Sequence, residues 1–190
     1  MNVMVTPQAD EPTRRMFTVE DAFRMVETGI IGPDEKLELI EGEFVQVNSK
    51  NNFHQNVQNR LTKALVGMVP DDLAVGIEPT LTLDDFTYVE PDIVIYRYSE
   101  APRLTAERAM LVIEIADSSL GFDLGVKAGL MARAGVEDYW VVNAQALEVT
   151  VHREPRSDGY GSIRRLSKND ILKPNHPDIS MVAVRLADIA

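Results

Sequence analysis

Residues 110–142 read MLVIEIADSSLGFDLGVKAGLMARAGVEDYWVV, and they carry the clearest architectural signal in the chain. Residues 110–116 form a nearly continuous apolar run, which is typical of a β-strand buried on both faces. Residues 123–134 have helical periodicity and end at Gly135, and residues 138–142 are again strand-like. The order strand, helix, strand predicts a βαβ unit with parallel strands and a right-handed crossover.

Short strand and helix patterns flank this unit on both sides. A capping box from Thr18 to Asp21 predicts a helix that ends at Thr28, and a second helix is predicted from residue 53 to 68. A hairpin is predicted over residues 37–47, with its turn at Glu41-Gly42. Further strands are predicted at residues 74–77, 80–83, 92–96, 147–152, 160–166 and 179–184. The predicted fold class is α/β (α+β), with a mixed sheet and extra β-hairpins.

Composition limits the class of protein. With 45% hydrophobic and 26% charged residues among 190, the chain is expected to be globular, with residues 1–15 as a flexible N-terminal arm and residues 16–190 as a single domain. The absence of cysteine excludes disulfides, thiolate zinc sites and iron–sulfur clusters. Uncharged runs do not exceed nine residues, too few to span a bilayer, and the N-terminus lacks the apolar segment of a signal peptide. We therefore expect a cytoplasmic protein without membrane contact.

The net charge is −11, but it is unevenly distributed. A negative chain is poorly suited to non-specific nucleic-acid binding, which needs Lys and Arg for phosphate contacts. Residues 71–92 contain seven acidic residues and no basic one, whereas residues 153–173 contain six basic and three acidic residues. Both runs are compatible with solvated surface; the alternative is one cation-binding edge and one anion-facing edge.

Glu114 is the first residue that departs from its local pattern, because it interrupts the apolar run 110–116. A buried carboxylate without a partner costs several kcal/mol, so a cation or a proton must lie near it. Either Glu114 belongs to a structural ion pair, or it is a metal-binding or catalytic carboxylate.

Lys127 is the second such residue. Its neighbours at helical spacing are apolar, so its side chain projects along the helix face that should cover the sheet. The lysine must therefore extend to the surface, where Asp123 is an available partner, or meet an acid such as Glu114.

Asp92 is the third, at the start of the apolar strand 92–96. If this strand neighbours the strand of Glu114, both carboxylates lie at one end of the sheet; the alternative is an ordinary polar residue at a strand end. Two converging carboxylates suit Mg²⁺ or Mn²⁺, which prefer oxygen ligands. With Lys127 beside them, the trio has the parts for metal-assisted hydrolysis of a phosphate ester.

On these residues the chain resembles the PD-(D/E)XK nuclease superfamily, and more specifically the Uma2 family of restriction-endonuclease-like proteins. The stretches that carry the resemblance are residues 39–44, 91–93, 111–120, 132–136 and 139–142, with Asp123 and Lys127. The resemblance runs from about residue 17 to the C-terminus. It implies a restriction-endonuclease-like αβββαβ core and a nuclease-like domain.

The resemblance also implies an endonuclease that uses Mg²⁺ or Mn²⁺ to hydrolyse the phosphodiester bonds of DNA. Asp92, Glu114 and the main-chain carbonyl of Ile115 would be the metal ligands. Lys127 would replace the lysine usually found two residues after the glutamate, where this chain has Ala116.

Two further residues, Glu38 and His54, fall on positions that the family tends to keep polar, and we count them as candidate catalytic residues. A lone histidine at a helix start is otherwise an ordinary surface residue. The chain departs from the family pattern at Met131, where a tyrosine is usual, and at Asn143, where an aspartate is usual.

Three functions therefore remain open: a metal-dependent nuclease, a nuclease-fold protein that binds or regulates without catalysis, and a structural homodimer stabilised by a Glu114–Lys127 ion pair. The first requires Asp92, Glu114 and Lys127 around a cavity that solvent can reach. The second tolerates a closed cavity, and the third predicts a dry pair without an opening.

Overall fold

The computed structural model describes residues 15–32, 34–47 and 50–189. Most of the predicted N-terminal arm lies outside these residues. The helices are α1 (Val19–Glu27), α2 (Asn52–Val66), α3 (Leu120–Phe122), α4 (Ala128–Arg133) and α5 (Leu186–Ile189), and a π-helical turn (Asp123–Lys127) joins α3 to α4. The strands are β1 (Leu37–Ile40), β2 (Glu43–Gln46), β3 (Leu73–Ile77), β4 (Leu81–Asp84), β5 (Thr87–Val89), β6 (Ile93–Arg97), β7 (Leu104–Thr105), β8 (Ala109–Ala116), β9 (Asp138–Asn143), β10 (Glu148–Arg156) and β11 (Gly159–Leu166).

The larger sheet has six strands in the order β11-β10-β9-β8-β6-β3. Its strands β8 and β9 are parallel, with Glu114 opposite Val141, and the other pairs are antiparallel. The predicted βαβ unit and the mixed sheet are confirmed. The hairpin predicted near residues 147–166 is also present, with longer strands than the sequence indicated.

The smaller sheet has the order β2-β1-β5-β4-β7. The predicted turn between β1 and β2 is confirmed, because Glu41 and Gly42 both have positive φ, at 50° and 80°. This conformation gives a two-residue hairpin loop the twist of its strands. A side chain at Gly42 is also excluded by packing, since a Cβ atom there would lie 2.4 Å from Cβ of Met16.

Strand β8 is covered on both faces, as its apolar sequence predicts. On one face Leu61 and Leu65 of α2 share a cluster of buried apolar side chains with Ile113. On the other face Met131 of α4 shares a separate cluster with Val112. The helix that carries Lys127 therefore packs on the same face of the sheet as Glu114.

The helix starts follow their sequence signals. The side chain of Thr18 accepts a hydrogen bond from the amide of Asp21, and the Asp21 carboxylate accepts one from the amide of Thr18, which is the predicted capping box. Asn51 caps α2 by accepting hydrogen bonds from the amides of Phe53 and His54.

The strand predicted at residues 179–184 is wrong. Pro177–Ile179 form a 3-10 turn, the amide of Val182 donates to the carbonyl of Ile179 at 3.0 Å, and Val184 makes an isolated bridge with Leu172. Ile179, Val182 and Val184 bury their side chains in the apolar cluster that includes Leu61 and Leu65 of α2, without joining a ladder, and Met181 is exposed. The short strands β5 and β7 were not predicted. Within the described ranges, the helices are too short or too polar to cross a membrane.

Candidate functional site

The residues predicted to be functional meet in one pocket of about 340 Å³. It is lined by all six of them: Glu38, His54, Asp92, Glu114, Ile115 and Lys127. The pocket reaches solvent beside Gln46, Asn51 and Phe122, which are exposed. This opening to solvent contradicts the structural-homodimer hypothesis, which requires an ion pair that is sealed from solvent.

Asp92 is fixed to the strand that carries Glu114. Ile93 of β6 is opposite Ile113 of β8, so Asp92, the residue before Ile93, lies level with Glu114. The amide of Ile115 donates a hydrogen bond of 2.6 Å to Oδ2 of Asp92. Because Asp92 is almost fully buried, this contact holds its carboxylate at the end of the sheet beside Glu114.

Lys127 joins two carboxylates from different parts of the chain. Its Nζ lies 2.7 Å from Oε1 of Glu114 and 2.8 Å from Oε1 of Glu38 on β1. The lysine side chain is only 5% exposed, so its charge depends on these partners. Asp123, the alternative partner, instead accepts a hydrogen bond of 2.6 Å from the Ser119 hydroxyl.

Burial and neighbouring charges set the ionisation of Glu114 and Lys127. Burial raises the pKa of the Glu114 carboxyl well above its ordinary value, Lys127 opposes that rise, and Asp92 adds to it. Burial lowers the pKa of Lys127, but Glu114 and Glu38 outweigh it and raise that pKa overall. The lysine is therefore charged, and burial favours the protonated form of Glu114.

His54 reaches Asp92 from the first turn of α2. Its Nε2 lies 3.0 Å from Oδ2 of Asp92. Burial raises the pKa of Asp92, but the hydrogen bond from His54 and the charge of Lys50 outweigh it and lower that pKa overall. Since an ionised carboxylate only accepts hydrogen bonds, Nε2 of His54 is the donor in this contact. Within the part of the chain that the structure describes, its buried Nδ1 has no hydrogen-bond partner.

Sequence reasoning missed Lys50, which lies just before the cap of α2. Its Nζ contacts Oδ1 of Asp92 and lies 2.8 Å from Oε1 of Glu78. Burial lowers the pKa of Lys50, but the carboxylates of Asp92 and Glu78 outweigh it and raise that pKa. No local pattern marks this lysine, because its partners lie 28 and 42 residues further along the chain.

The two residues that depart from the family pattern, Met131 and Asn143, have structural roles. Met131 is fully buried in the apolar cluster with Val112. The side chain of Asn143 accepts a hydrogen bond of 3.0 Å from the amide of Ala146, in the turn after β9.

The oxygen atoms at the end of the sheet fit a hard divalent cation in chemical type. Oε1 of Glu114 is buried and, among the described residues, has no aligned hydrogen-bond donor, although Lys127 is near enough for charge pairing. The carbonyl of Ile115 is on the same side of β8 as its amide, which points to Asp92. Carboxylate and carbonyl oxygens are the donors that Mg²⁺ and Mn²⁺ prefer.

The site is not a ready-made cluster of side-chain ligands. Across residues 15–32, 34–47 and 50–189, no three His, Asp or Glu side chains are arranged to hold a metal ion. A cation here would depend on two carboxylates, a main-chain carbonyl and water, and it would meet Lys50 at Asp92.

Comparison with known proteins agrees with this architecture. Residues 19–182 match the model of the Uma2 family, which is described as "Putative restriction endonuclease". Five chains of solved structures match, among them the crystal structure of "a putative nuclease belonging to DUF820" from Anabaena variabilis ATCC 29413. That structure has a TM-score of 0.72 and 17% identity, and the match covers 91% of this chain and 97% of the other. No curated protein matches the chain.

Proposed function

The chain belongs to the Uma2 family, and on this premise we propose that it is a divalent-metal-dependent endonuclease that hydrolyses the phosphodiester bonds of DNA. The observation that carries the proposal is the position of Lys127, buried within 2.7 Å of Glu114 in the pocket that Asp92 also lines. A positively charged lysine beside carboxylates that can hold a metal ion supplies groups that phosphate hydrolysis uses.

We assign the metal ligands to the carboxylates of Asp92 and Glu114 and the main-chain carbonyl of Ile115. When bound there, Mg²⁺ or Mn²⁺ would polarise the scissile phosphate and lower the pKa of a coordinated water. The two carboxylates are held in register by the hydrogen bond between Ile115 and Asp92, so the protein need not rearrange its sheet to present them.

Lys127 supplies the positive charge that faces the phosphate as negative charge develops on it. Glu38 is the second carboxylate that pairs with the lysine, and it is itself fixed, because its Oε1 accepts a hydrogen bond of 2.9 Å from the amide of Glu90. His54 orients Asp92 through Nε2. In this scheme Glu38 and His54 act by positioning the groups that contact metal and phosphate.

The assignment of DNA as substrate rests on the family description more than on surface charge. Of the basic residues in the 153–173 stretch, Arg153 pairs with Asp138, Arg156 with Glu154 and Arg165 with Glu148. These guanidinium groups are partly neutralised, so we expect weak binding of DNA without metal.

A test of the proposal combines substrate and metal controls. Supercoiled plasmid and single- and double-stranded oligonucleotides are incubated with the protein in EDTA, Mg²⁺ or Mn²⁺. Cleavage should require metal and should disappear in Asp92→Asn. A matched variant, Asp72→Asn, changes an exposed carboxylate that pairs with Arg97 and should retain activity. Equal cleavage by both variants would point to a contaminating nuclease and contradict the proposal.

One observation favours a second candidate function, the non-catalytic protein of the same fold. Lys127 lies within ion-pair distance of both Glu38 and Glu114, so their buried charges are partly compensated without a metal ion. On that alternative, metal binds to no variant and does not change stability. Self-association into a homodimer stays a prediction and is measured by analytical ultracentrifugation.

A further inference from the structure

The side chain of Lys50 contacts the carboxylate of Asp92, which is a proposed metal ligand. Its ammonium contacts Oδ1 of Asp92, while Oδ2 is already engaged by the amide of Ile115 and by His54. Both oxygens of the carboxylate therefore have positively polarised partners. A cation that approached Asp92 would meet the ammonium group at Oδ1.

The contact between Lys50 and Asp92 is more buried than an ordinary surface ion pair. The side chain of Lys50 is 18% exposed and that of Asp92 is 3% exposed. Lys36 offers a direct comparison, since it pairs with the same Glu78 at 3.0 Å but is 57% exposed. Screening by water and salt weakens the Lys36 pair far more than the Lys50 pair.

The main chain that follows Lys50 is fixed at the start of α2, and a lysine side chain is a flexible four-carbon stem. The next residue, Asn51, caps α2 and donates a hydrogen bond of 2.5 Å to Asp117, just after β8. A change of side-chain rotamer can therefore move the ammonium away from Asp92 without moving α2. Glu78, 2.8 Å from the ammonium, remains as a partner.

We propose that Lys50 is an internal competitor of the divalent cation: its ammonium neutralises Asp92 in the metal-free protein, and metal binding displaces it toward Glu78. This inference rests on the metal-dependent function proposed above. Like charges at one carboxylate repel, so the ammonium and the cation cannot share Oδ1. Lys50 thus weakens metal binding and stabilises the metal-free site.

The test measures Mn²⁺ affinity by isothermal titration calorimetry of EDTA-stripped protein, with thermal melts in EDTA and in Mn²⁺. Lys50→Met removes the competing charge, and Lys36→Met is the matched control, since it removes a charge from the same Glu78. We expect Lys50→Met to bind Mn²⁺ at least about tenfold more tightly than the parent, because a charge-assisted contact no longer has to be broken. Lys36→Met should stay within about threefold of the parent.

The melts give a second, activity-independent result. In EDTA the midpoint of Lys50→Met should fall, since Asp92 has lost a cation, and Mn²⁺ should raise it by more than it raises the parent's midpoint. If Lys50→Met does not fold, Lys50→Gln, which keeps polar contacts without the charge, is measured in its place. Lys50→Arg retains the charge and should bind Mn²⁺ like the parent.

The outcomes separate this inference from the proposed function. Equal Mn²⁺ affinity in the parent, Lys50→Met and Lys36→Met would overturn the role of Lys50 and leave the metal site standing. The same gain in both Met variants would show a general charge effect and would also overturn it. An absence of Mn²⁺ binding in every variant, Lys50→Met included, would overturn the proposed metal site itself.

Discussion

The amide of Ile115 donates a hydrogen bond of 2.6 Å to the carboxylate of Asp92, which ties the start of β6 to the strand of Glu114. The carboxylate of Asp92 is thereby held by the main chain of β8 and not only by side-chain packing. Because Asp92 also raises the pKa of Glu114, substitutions at these two residues should have coupled effects on stability.

Lys127→Met should abolish catalysis while leaving metal binding intact or stronger. Turnover should fall by at least about 10²-fold, the usual effect of losing one preorganised electrostatic group. The affinity for Mn²⁺, measured by calorimetry, should not fall, because one positive charge has left the site. A control, Lys63→Met, alters an exposed lysine of α2 and should leave both quantities unchanged. Undiminished cleavage by Lys127→Met would remove the lysine from the mechanism.

Glu114→Gln should be as stable as the parent in EDTA, or more stable, and should lose the stabilisation that Mn²⁺ gives. Burial holds the pKa of Glu114 above its unfolded value, so at neutral pH the folded state disfavours the charge that the substitution removes. Lys127 keeps Glu38 as its partner. Urea unfolding in EDTA and in Mn²⁺ measures both effects.

The matched variant Glu38→Gln also removes one partner of Lys127, but Glu38 is not a proposed ligand. It should therefore retain the Mn²⁺ effect. A loss of about 3–5 kcal/mol in Glu114→Gln, together with no Mn²⁺ effect on the parent, would favour a structural ion pair.

Calcium should bind at the site without supporting cleavage. Ca²⁺ accepts the same oxygen donors but is larger, with looser coordination geometry, and it activates water less well than Mg²⁺ or Mn²⁺. Adding Ca²⁺ to a Mg²⁺-supported plasmid assay should therefore inhibit it. Cleavage in Ca²⁺ alone, at the Mg²⁺ rate, would contradict the assigned role of the metal.

Stability should fall as the pH decreases below about 6.5, in part because of His152. Burial lowers the pKa of this residue in the folded protein, so the unfolded chain binds a proton first and gains stability relative to the folded state. Between pH 7.5 and 5.5 the contribution is at most about 1.4 kcal/mol. Urea unfolding at both pH values measures it.

His152→Phe is the corresponding variant, because it keeps a ring between Tyr139 and Tyr160. It should lose stability at pH 7.5, since the hydrogen bond of 3.2 Å between Nδ1 and the carbonyl of Tyr139 is removed. Its dependence on pH should be shallower than that of the parent. An identical slope in both proteins would exclude His152 as a source of the acid sensitivity.

The sequence predicts best where a residue conflicts with its surroundings. Glu114 and Lys127 stand out because each interrupts an apolar pattern whose buried face is known, and the structure brings them to 2.7 Å. Lys50 has no such conflict, since it precedes a helix cap among polar residues, and its partners Glu78 and Asp92 lie just after β3 and just before β6. Its proximity to Asp92 is a product of tertiary folding alone.

The C-terminal segment illustrates a different limit. The apolar residues near Ile179 indicate a segment that contributes to the core, and Ile179, Val182 and Val184 are buried there. They do not indicate that a neighbouring strand is free to pair. Here the main chain forms a local turn instead, in which the amide of Val182 donates to the carbonyl of Ile179. The hairpin at Glu41-Gly42 was predictable because its two positive φ angles belong to the two turn residues themselves and depend on no distant part of the chain.

Trp140 is the only tryptophan in the sequence and is an intrinsic fluorescent reporter on β9, the strand next to that of Glu114. It lies opposite Ile113 on β8, its ring is fully buried, and its indole N–H donates a hydrogen bond of 2.7 Å to the Asp138 carboxylate. Unfolding transfers this one indole from an apolar cluster to water, so emission shifts to longer wavelength without overlap from other tryptophans. Opening of the central sheet can thus be followed by tryptophan fluorescence in the unlabelled protein. The reporter is close to the site, because Ile113, its partner on β8, is the residue next to Glu114.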